Sequence, residues 1–193
     1  MQYRLGELFC GPGGIAWGAT HADIGNSDYS IVHQWANDYD ASTCETYRRN
    51  ICPDAPQTVY HEDIRKFDMS KLAPIDALAF GFPCNDYSVV GEQKGMDGVY
   101  GPLYSYGVKA LKRFKPQWFL AENVGGLRNA NDGKAFTKIL TELRDAGYTI
   151  TPHLYKFEEY GIQLSVYSMD LIVLKSFENI AAINQRKGLR YFI

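Results

Sequence analysis

The stretch that most constrains the fold is IDALAFGF (75–82), a strand-length apolar run with no polar alternation. A half-exposed strand would alternate apolar and polar residues; an unbroken run is expected where a strand is covered on both faces. The chain must therefore supply layers to either side of a sheet. The other segments do so. LGELF (5–9) runs into CGPGG and then a helix-like IAWGATHADIG, and YSIVHQWAN (29–37) reads as a second strand. Asp40 or Ser42 could cap a helix through STCETYRRN. An amphipathic helix follows around 103–114, then a buried strand WFLAEN (118–123), then a helix over 134–147 that Gly147 is placed to end. Segments around YTITPHLYKF and VYSMDLIVL read as closing strands, the second at the edge of the sheet. Strands alternating with helices predict an α/β fold with an open, mostly parallel sheet and helices on both faces. Such sheets bind ligands beyond the carboxyl ends of their strands. CGPGG, PCNDYS and ENVGG all fall at those ends, so three unusual motifs should meet along one edge.

Composition narrows the classes. A chain of 193 residues, 46% hydrophobic and 22% charged, suits one folded domain. No apolar run approaches the roughly 20 residues of a membrane span, and MQYRLGELF lacks a signal-peptide layout. The cytoplasm is the expected compartment, and no membrane partner is expected. Cys10, Cys44, Cys52 and Cys84 form no CxxC pair and have no histidine at metal-ligand spacing, so free thiols and no metal are expected. A net charge of −2 does not advertise nucleic-acid binding in bulk. The basic cluster Lys109, Lys112, Arg113 and Lys115 reads as the solvated face of a helix.

Gly11, Gly13 and Gly14 let the first loop turn sharply and let a ligand approach the backbone. The pattern is neither G-x-G-x-x-G nor a Walker loop, so phosphate cradling is not favoured. Asp38, at the end of the second strand, could accept hydrogen bonds from ribose hydroxyls, and Tyr39 could cover an adenine face. Asp63 in HEDI could accept from an exocyclic amino group. A helix cap, a surface acid and a half-buried tyrosine are the bland alternatives; together the three describe a pocket for an adenosine-containing cofactor. Cys84 follows Pro83 at a strand end, where neighbouring amides can lower a thiol pKa and make a nucleophile, although an inert buried thiol is the commoner outcome. Glu122 ends the apolar strand WFLAEN, where a partly dry setting should raise its pKa and let it donate a proton. Asn123 could hold the loop through backbone hydrogen bonds.

FCGPGG, WANDYD, EDI, GFPCNDYS, GPLY and AENV, in this order, resemble the cytosine-5 DNA methyltransferases over about Leu5 to Gly161. The resemblance implies a Rossmann-like, S-adenosylmethionine-dependent methyltransferase fold, incomplete at its C-terminus. It implies a cofactor site lined by Phe9, Gly11, Pro12, Gly13, Gly14, Asp38, Tyr39, Asp63, Ile64, Pro83 and Leu103, releasing S-adenosylhomocysteine. It also implies Cys84 as the nucleophile toward a flipped cytosine in double-stranded DNA, with Glu122 and Asn123 beside it. The segment from Asn85 to about Tyr100 would close over the DNA. A bacterial or phage restriction-modification setting is what the family suggests. The chain then departs from the pattern. After Tyr160, Gly161 and Ile162 the family's proline and Gln-x-Arg-x-Arg motif are missing, and no target-recognition domain follows. The expected organisation is a catalytic part over 1–162 and a divergent tail over 163–193. A fragment, a truncated or frameshifted gene, a split enzyme with a second polypeptide for recognition, or a compact enzyme would each give this pattern. A non-catalytic cofactor- or DNA-binding remnant, and an RNA cytosine methyltransferase, are the competing functions.

Overall fold

The computed structural model describes residues 1–22, 28–83, 103–129, 132–156 and 168–175. Its strands are β1 (Gln2–Leu8), β2 (Ser30–Asp38), β3 (Val59–His61), β4 (Ala77–Gly81), β5 (Trp118–Val124), β6 (Thr149–Lys156) and β7 (Ser168–Lys175). Its helices are α1 (Gly14–Thr20), α2 (Ala41–Ile51), α3 (Tyr104–Phe114) and α4 (Lys134–Asp145). They form one seven-stranded sheet in the order β3-β2-β1-β4-β5-β7-β6. The first five strands in that order pair in parallel, and only the β5–β7 and β7–β6 ladders are antiparallel.

The pleat explains the two layers. Leu78 and Phe80 of β4 face the same side as Phe119 and Ala121 of β5 and Trp35 of β2, under α3 and α4. Ala77 and Ala79 face the other side with Leu5 and Ala36, under α1 and α2. Each helix offers a matching stripe: Tyr104, Val108 and Leu111 on α3, Ala135, Ile139 and Leu143 on α4. Fully burying one such leucine or phenylalanine contributes about 2 kcal/mol, so this double cover is the main source of stability. Asp40 caps α2 by accepting from the Thr43 amide at 2.8 Å, choosing between the two candidate caps. Gly147 follows α4 at φ +96°, a left-handed value suited to a helix stop.

Two features differ from the sequence expectation. VYSMDLIVL was expected as an edge strand; β7 instead lies between β5 and β6, and β6 forms the edge. The reason is direction: β7 runs antiparallel to both neighbours, so it fills the slot beside β5 and leaves β6 outside. The short strand β3 has no counterpart in the sequence reading, because three residues carry too little periodicity to register.

Candidate active site

At the carboxyl end of β1 the chain turns through unusual backbone. Phe9 and Gly11 adopt φ +55° and +52°, and Gly13 adopts φ +100°. A positive φ at a phenylalanine is uncommon and is held only where surrounding bonds enforce it. Those bonds are present. The Cys10 amide donates to the Asn37 carbonyl at 3.1 Å, the Gly13 amide to the Cys10 carbonyl at 3.2 Å, and the Gly11 amide to Asp38 Oδ2 at 2.9 Å. Asp38 Oδ1 accepts from the Asp40 amide at 3.0 Å. Both Asp38 oxygens therefore hold backbone, yet each carboxylate oxygen retains a second lone pair for another donor. The Asp38 carbonyl in turn accepts from the Glu62 amide, and Asn37 Nδ2 donates to the Tyr60 and Glu62 carbonyls, so the ends of β1, β2 and β3 are tied together.

This loop leaves room on one side. A β-carbon at Gly11 or Gly14 would meet nothing within 4 Å, whereas one at Gly13 would strike Ile51 at 2.7 Å. The loop thus packs its back and keeps its front open. Pro12 and Gly14 are exposed, and Tyr39 presents an exposed ring at 72%, its carbonyl bonded to His61 Nε2. Asp63 differs from expectation in its partner: its carboxylate is forked by Arg65, with Nη2 at 2.6 Å, which pulls its pKa down to about 2. Ile64 is buried in the core beneath, and Phe9 and Leu103 pack partly buried against that same core.

The second part of the edge is built by β4 and β5. Gly81 pairs with Glu122 in the ladder, and a β-carbon at Gly81 would lie 2.9 Å from Glu122 Oε2. Asn123 is buried; its Nδ2 donates to the Phe82 carbonyl at 2.8 Å and its Oδ1 accepts from the Val124 amide. Asn123 therefore fixes the chain just before Pro83. Glu122 is half-buried, and its carboxyl has no hydrogen-bond partner among the described residues. Burial alone pushes its pKa up to about 7. At neutral pH such a group is poised to carry or give up a proton. Cys84, expected as the nucleophile, lies outside the described residues, as does the segment from Asn85 to Tyr100. Pro83 ends the described segment on the same edge.

The structure thus brings together two clusters on adjacent strands, since Leu8 of β1 pairs with Phe80 of β4 and Gly81 pairs with Glu122 of β5. Sequence reasoning missed Glu7, fully buried behind the first loop, and Gly81. A charged residue inside the apolar run LGELF was the available signal for Glu7.

Comparison with known proteins agrees with this geometry. The family model for C-5 cytosine-specific DNA methylase matches residues 3–164. Type II methyltransferase M.BbvI of Brevibacillus brevis is 51% identical over 192 residues, covering 94% of this chain and 51% of the relative. Type II methyltransferase M.NgoFVII of Neisseria gonorrhoeae is 33% identical over 161 residues, covering 82% of this chain and 40% of the relative. The chain therefore spans about half, or less, of the length of these curated relatives. Because the M.BbvI alignment takes in more of the chain than residues 1–162 supply, it extends into the 163–193 segment. Among solved structures, the Entamoeba histolytica methyltransferase EhMeth superposes with a TM-score of 0.68 at 17% identity, covering 92% of this chain and 54% of that one. The S. pombe Dnmt2 methyltransferase gives a TM-score of 0.65 at 16% identity, covering 93% of this chain and 51% of that one. These two likenesses concern the fold. By its matched motifs, its sheet order and the family model that spans most of its length, this chain belongs to the C-5 cytosine-specific DNA methylase family.

Proposed function

We propose that this chain is the cofactor-binding and nucleophile-bearing part of a DNA (cytosine-5-)-methyltransferase of the restriction-modification kind. The observation that supports it most directly is Glu122, a half-buried carboxyl at the end of β5 with no hydrogen-bond partner among the described residues, beside the strand that leads into Pro83 and Cys84. The open front of the Gly11–Gly14 loop, the spare acceptor capacity of Asp38 and the exposed ring of Tyr39 suit S-adenosylmethionine. Phe9, Pro12, Ile64, Pro83 and Leu103 would supply the apolar walls, and Asp63 would present a charged acceptor shared with Arg65. Bound there, S-adenosylmethionine supplies a methyl group on a sulfonium and leaves as S-adenosylhomocysteine.

The protein's own groups do the rest. The Cys84 thiolate would add to carbon 6 of a cytosine flipped out of duplex DNA, and the ring's electrons would move toward ring nitrogen 3 and carbon 5. Glu122 would donate a hydrogen bond or its proton at nitrogen 3, stabilising the charge that develops there. After carbon 5 gains its methyl, loss of the carbon-5 proton to a base expels the Cys84 thiolate and restores the ring. Asn123 holds the chain at Phe82, just before Pro83, and would thereby help to aim the thiol toward the side of the sheet edge that carries Glu122. Target recognition would come from protein beyond the part matched here, on the same polypeptide or a second one.

The test is a trap. DNA containing 5-fluorocytosine cannot lose its carbon-5 substituent as a proton, so with S-adenosylmethionine the protein should form a covalent adduct stable to denaturation. Cys84→Ser should form none. An equal adduct with the serine variant rejects the mechanism. A protein that binds S-adenosylhomocysteine in calorimetry yet forms no adduct is a cofactor-binding subunit instead. Labelled transfer onto tRNA in preference to duplex DNA would reassign the substrate.

A further inference from the structure

Behind the glycine loop, on the face covered by α1 and α2, polar side chains run in single file. Glu7 Oε2 lies 2.6 Å from the Tyr47 hydroxyl, which lies 3.1 Å from His33 Nδ1. His33 Nε2 lies 2.7 Å from Thr58 Oγ1, which lies 2.6 Å from the Ala55 carbonyl oxygen. Each contact needs a hydrogen between its heavy atoms, because two bare acceptors at such distances repel. Tyr47, Thr58 and a neutral imidazole bring one hydrogen each, against four contacts. The missing proton must sit on the Glu7 carboxyl or on the second nitrogen of His33. Placing it on His33 would bury a carboxylate and an imidazolium; placing it on Glu7 leaves every group neutral. Burial favours the second arrangement, pushing Glu7 up to about 7 and His33 down to about 4. Glu7 then donates to Tyr47, Tyr47 to His33, His33 to Thr58, and Thr58 to the Ala55 carbonyl.

The file meets the loop at two places. The Ala16 amide, in the first turn of α1, bonds to the Glu7 carboxyl. The Tyr47 ring stands 3.0 Å from where a β-carbon would sit at Gly13. We propose that Glu7, Tyr47, His33 and Thr58 form one proton-holding chain whose uncharged form sets the position of the Gly11–Gly14 loop, making Glu7 and Tyr47 positioning residues for cofactor binding. This rests on the reading of that loop as the S-adenosylmethionine site. Among the described residues, the other titratable or charged groups around the chain are the thiols of Cys10, Cys44 and Cys52, the carboxylate of Asp38 and the guanidinium of Arg48, which donates to the Pro56 and Val59 carbonyls on either side of Thr58. Burial pushes the three thiols up, so they stay neutral where Glu7 titrates, and Asp38 is held by two backbone amides. Raising the pH past the Glu7 titration removes the fourth hydrogen, opens one contact and places a charge behind the loop. Cofactor affinity should fall as it does.

Calorimetry with S-adenosylhomocysteine from about pH 6 to about pH 8.5 tests this on the wild type, Glu7→Gln and Tyr47→Phe. Glutamine puts an amide N–H where the acid O–H stood and keeps an acceptor for Ala16. Glu7→Gln should bind within about threefold of the wild type at the acid end and lose the wild type's decline at the alkaline end. Tyr47→Phe keeps the ring against Gly13 but cuts the chain, and should weaken binding about tenfold. A Glu7→Gln profile that parallels the wild type, or unchanged affinity in Tyr47→Phe, overturns the proposal. If the wild type binds no S-adenosylhomocysteine, the cofactor reading fails. The proton assignment is then judged by infrared difference spectra of the same proteins at the acid end. A protonated-carboxyl band that loses one group's intensity in Glu7→Gln, Glu122 supplying what remains, upholds it; a band of equal intensity in the two proteins overturns it.

Discussion

Glu7 and Glu122 stand on β1 and β5, one on either side of β4, and both are pushed up to about 7 by burial. Their surroundings are opposite. Glu7 is sealed under α1 and α2 with partners on hand, the Tyr47 hydroxyl and the Ala16 amide. Glu122 is half-buried at the sheet edge, with no hydrogen-bond partner among the described residues and only desolvation acting on it. A carboxyl with its bonds satisfied inside the protein is architecture, and its proton has no route to a substrate. A carboxyl with no hydrogen bond from the described residues, at the edge where β4 and β5 end, fits the proposed role toward a substrate. The same titration thus marks two different jobs, and the hydrogen-bond partners, rather than the pKa, tell them apart.

The comparison breaks if glutamine is tolerated at both positions. Glu122→Gln should lower methyl transfer by about 10²–10³-fold, roughly 3–4 kcal/mol, because an amide cannot give up a proton at ring nitrogen 3. Labelled transfer to DNA measures it, and a loss under threefold would make Glu122 as structural as Glu7. Asn123→Ala removes the buried bond to the Phe82 carbonyl and should destabilise the fold by about 2 kcal/mol in urea unfolding. Gly81→Ala pushes a methyl to within 2.9 Å of Glu122 Oε2 and must displace that carboxyl. It should cost about tenfold in kcat while S-adenosylhomocysteine affinity stays put, since the crowding falls on the Glu122 side alone.

The smallest effect concerns pH and stability. Both glutamates have folded pKa values above their ordinary 4.5, so the folded protein takes up protons as pH falls from above about 7 toward 4.5. That contribution is present at low pH and lost as pH rises through 7. His33 acts in the other sense, its pKa lowered from 6.5 to about 4, so its cost to stability grows as pH falls through about 6.5. Between about pH 8 and pH 6.5 the gain from the glutamates outweighs the onset of the His33 cost, and urea unfolding should show a net gain of about 1 kcal/mol on acidification. Glu7→Gln should remove part of that gain and leave the share from Glu122, which sharpens the division between the two.

Much of the fold was legible. IDALAFGF demanded cover on both faces and received it, with large side chains toward α3 and α4 and alanines toward α1 and α2. CGPGG, Asp38, Tyr39, Glu122 and Asn123 do lie along the carboxyl edge. The placement of β7 was not legible, because the residues of an antiparallel strand do not state which neighbour they will pair with. The engagement of Asp63 by Arg65 was equally hidden, since exposed acids and bases close in sequence pair or part according to local backbone geometry.

By itself, the sequence determined the layers and the order of the motifs, because hydrophobic periodicity and glycine placement act locally and leave a mark in the residues. Only the tertiary structure decided which carboxyl finds a partner among the described residues and which does not. Hydrogen-bond partners such as Tyr47, forty residues from Glu7, are brought together by packing and not by proximity along the chain. In the sequence Glu7 and Glu122 are two acids in two apolar runs; the difference between them exists only once α2 has folded over Glu7 and brought Tyr47 to it, whereas Glu122 has no such partner among the described residues.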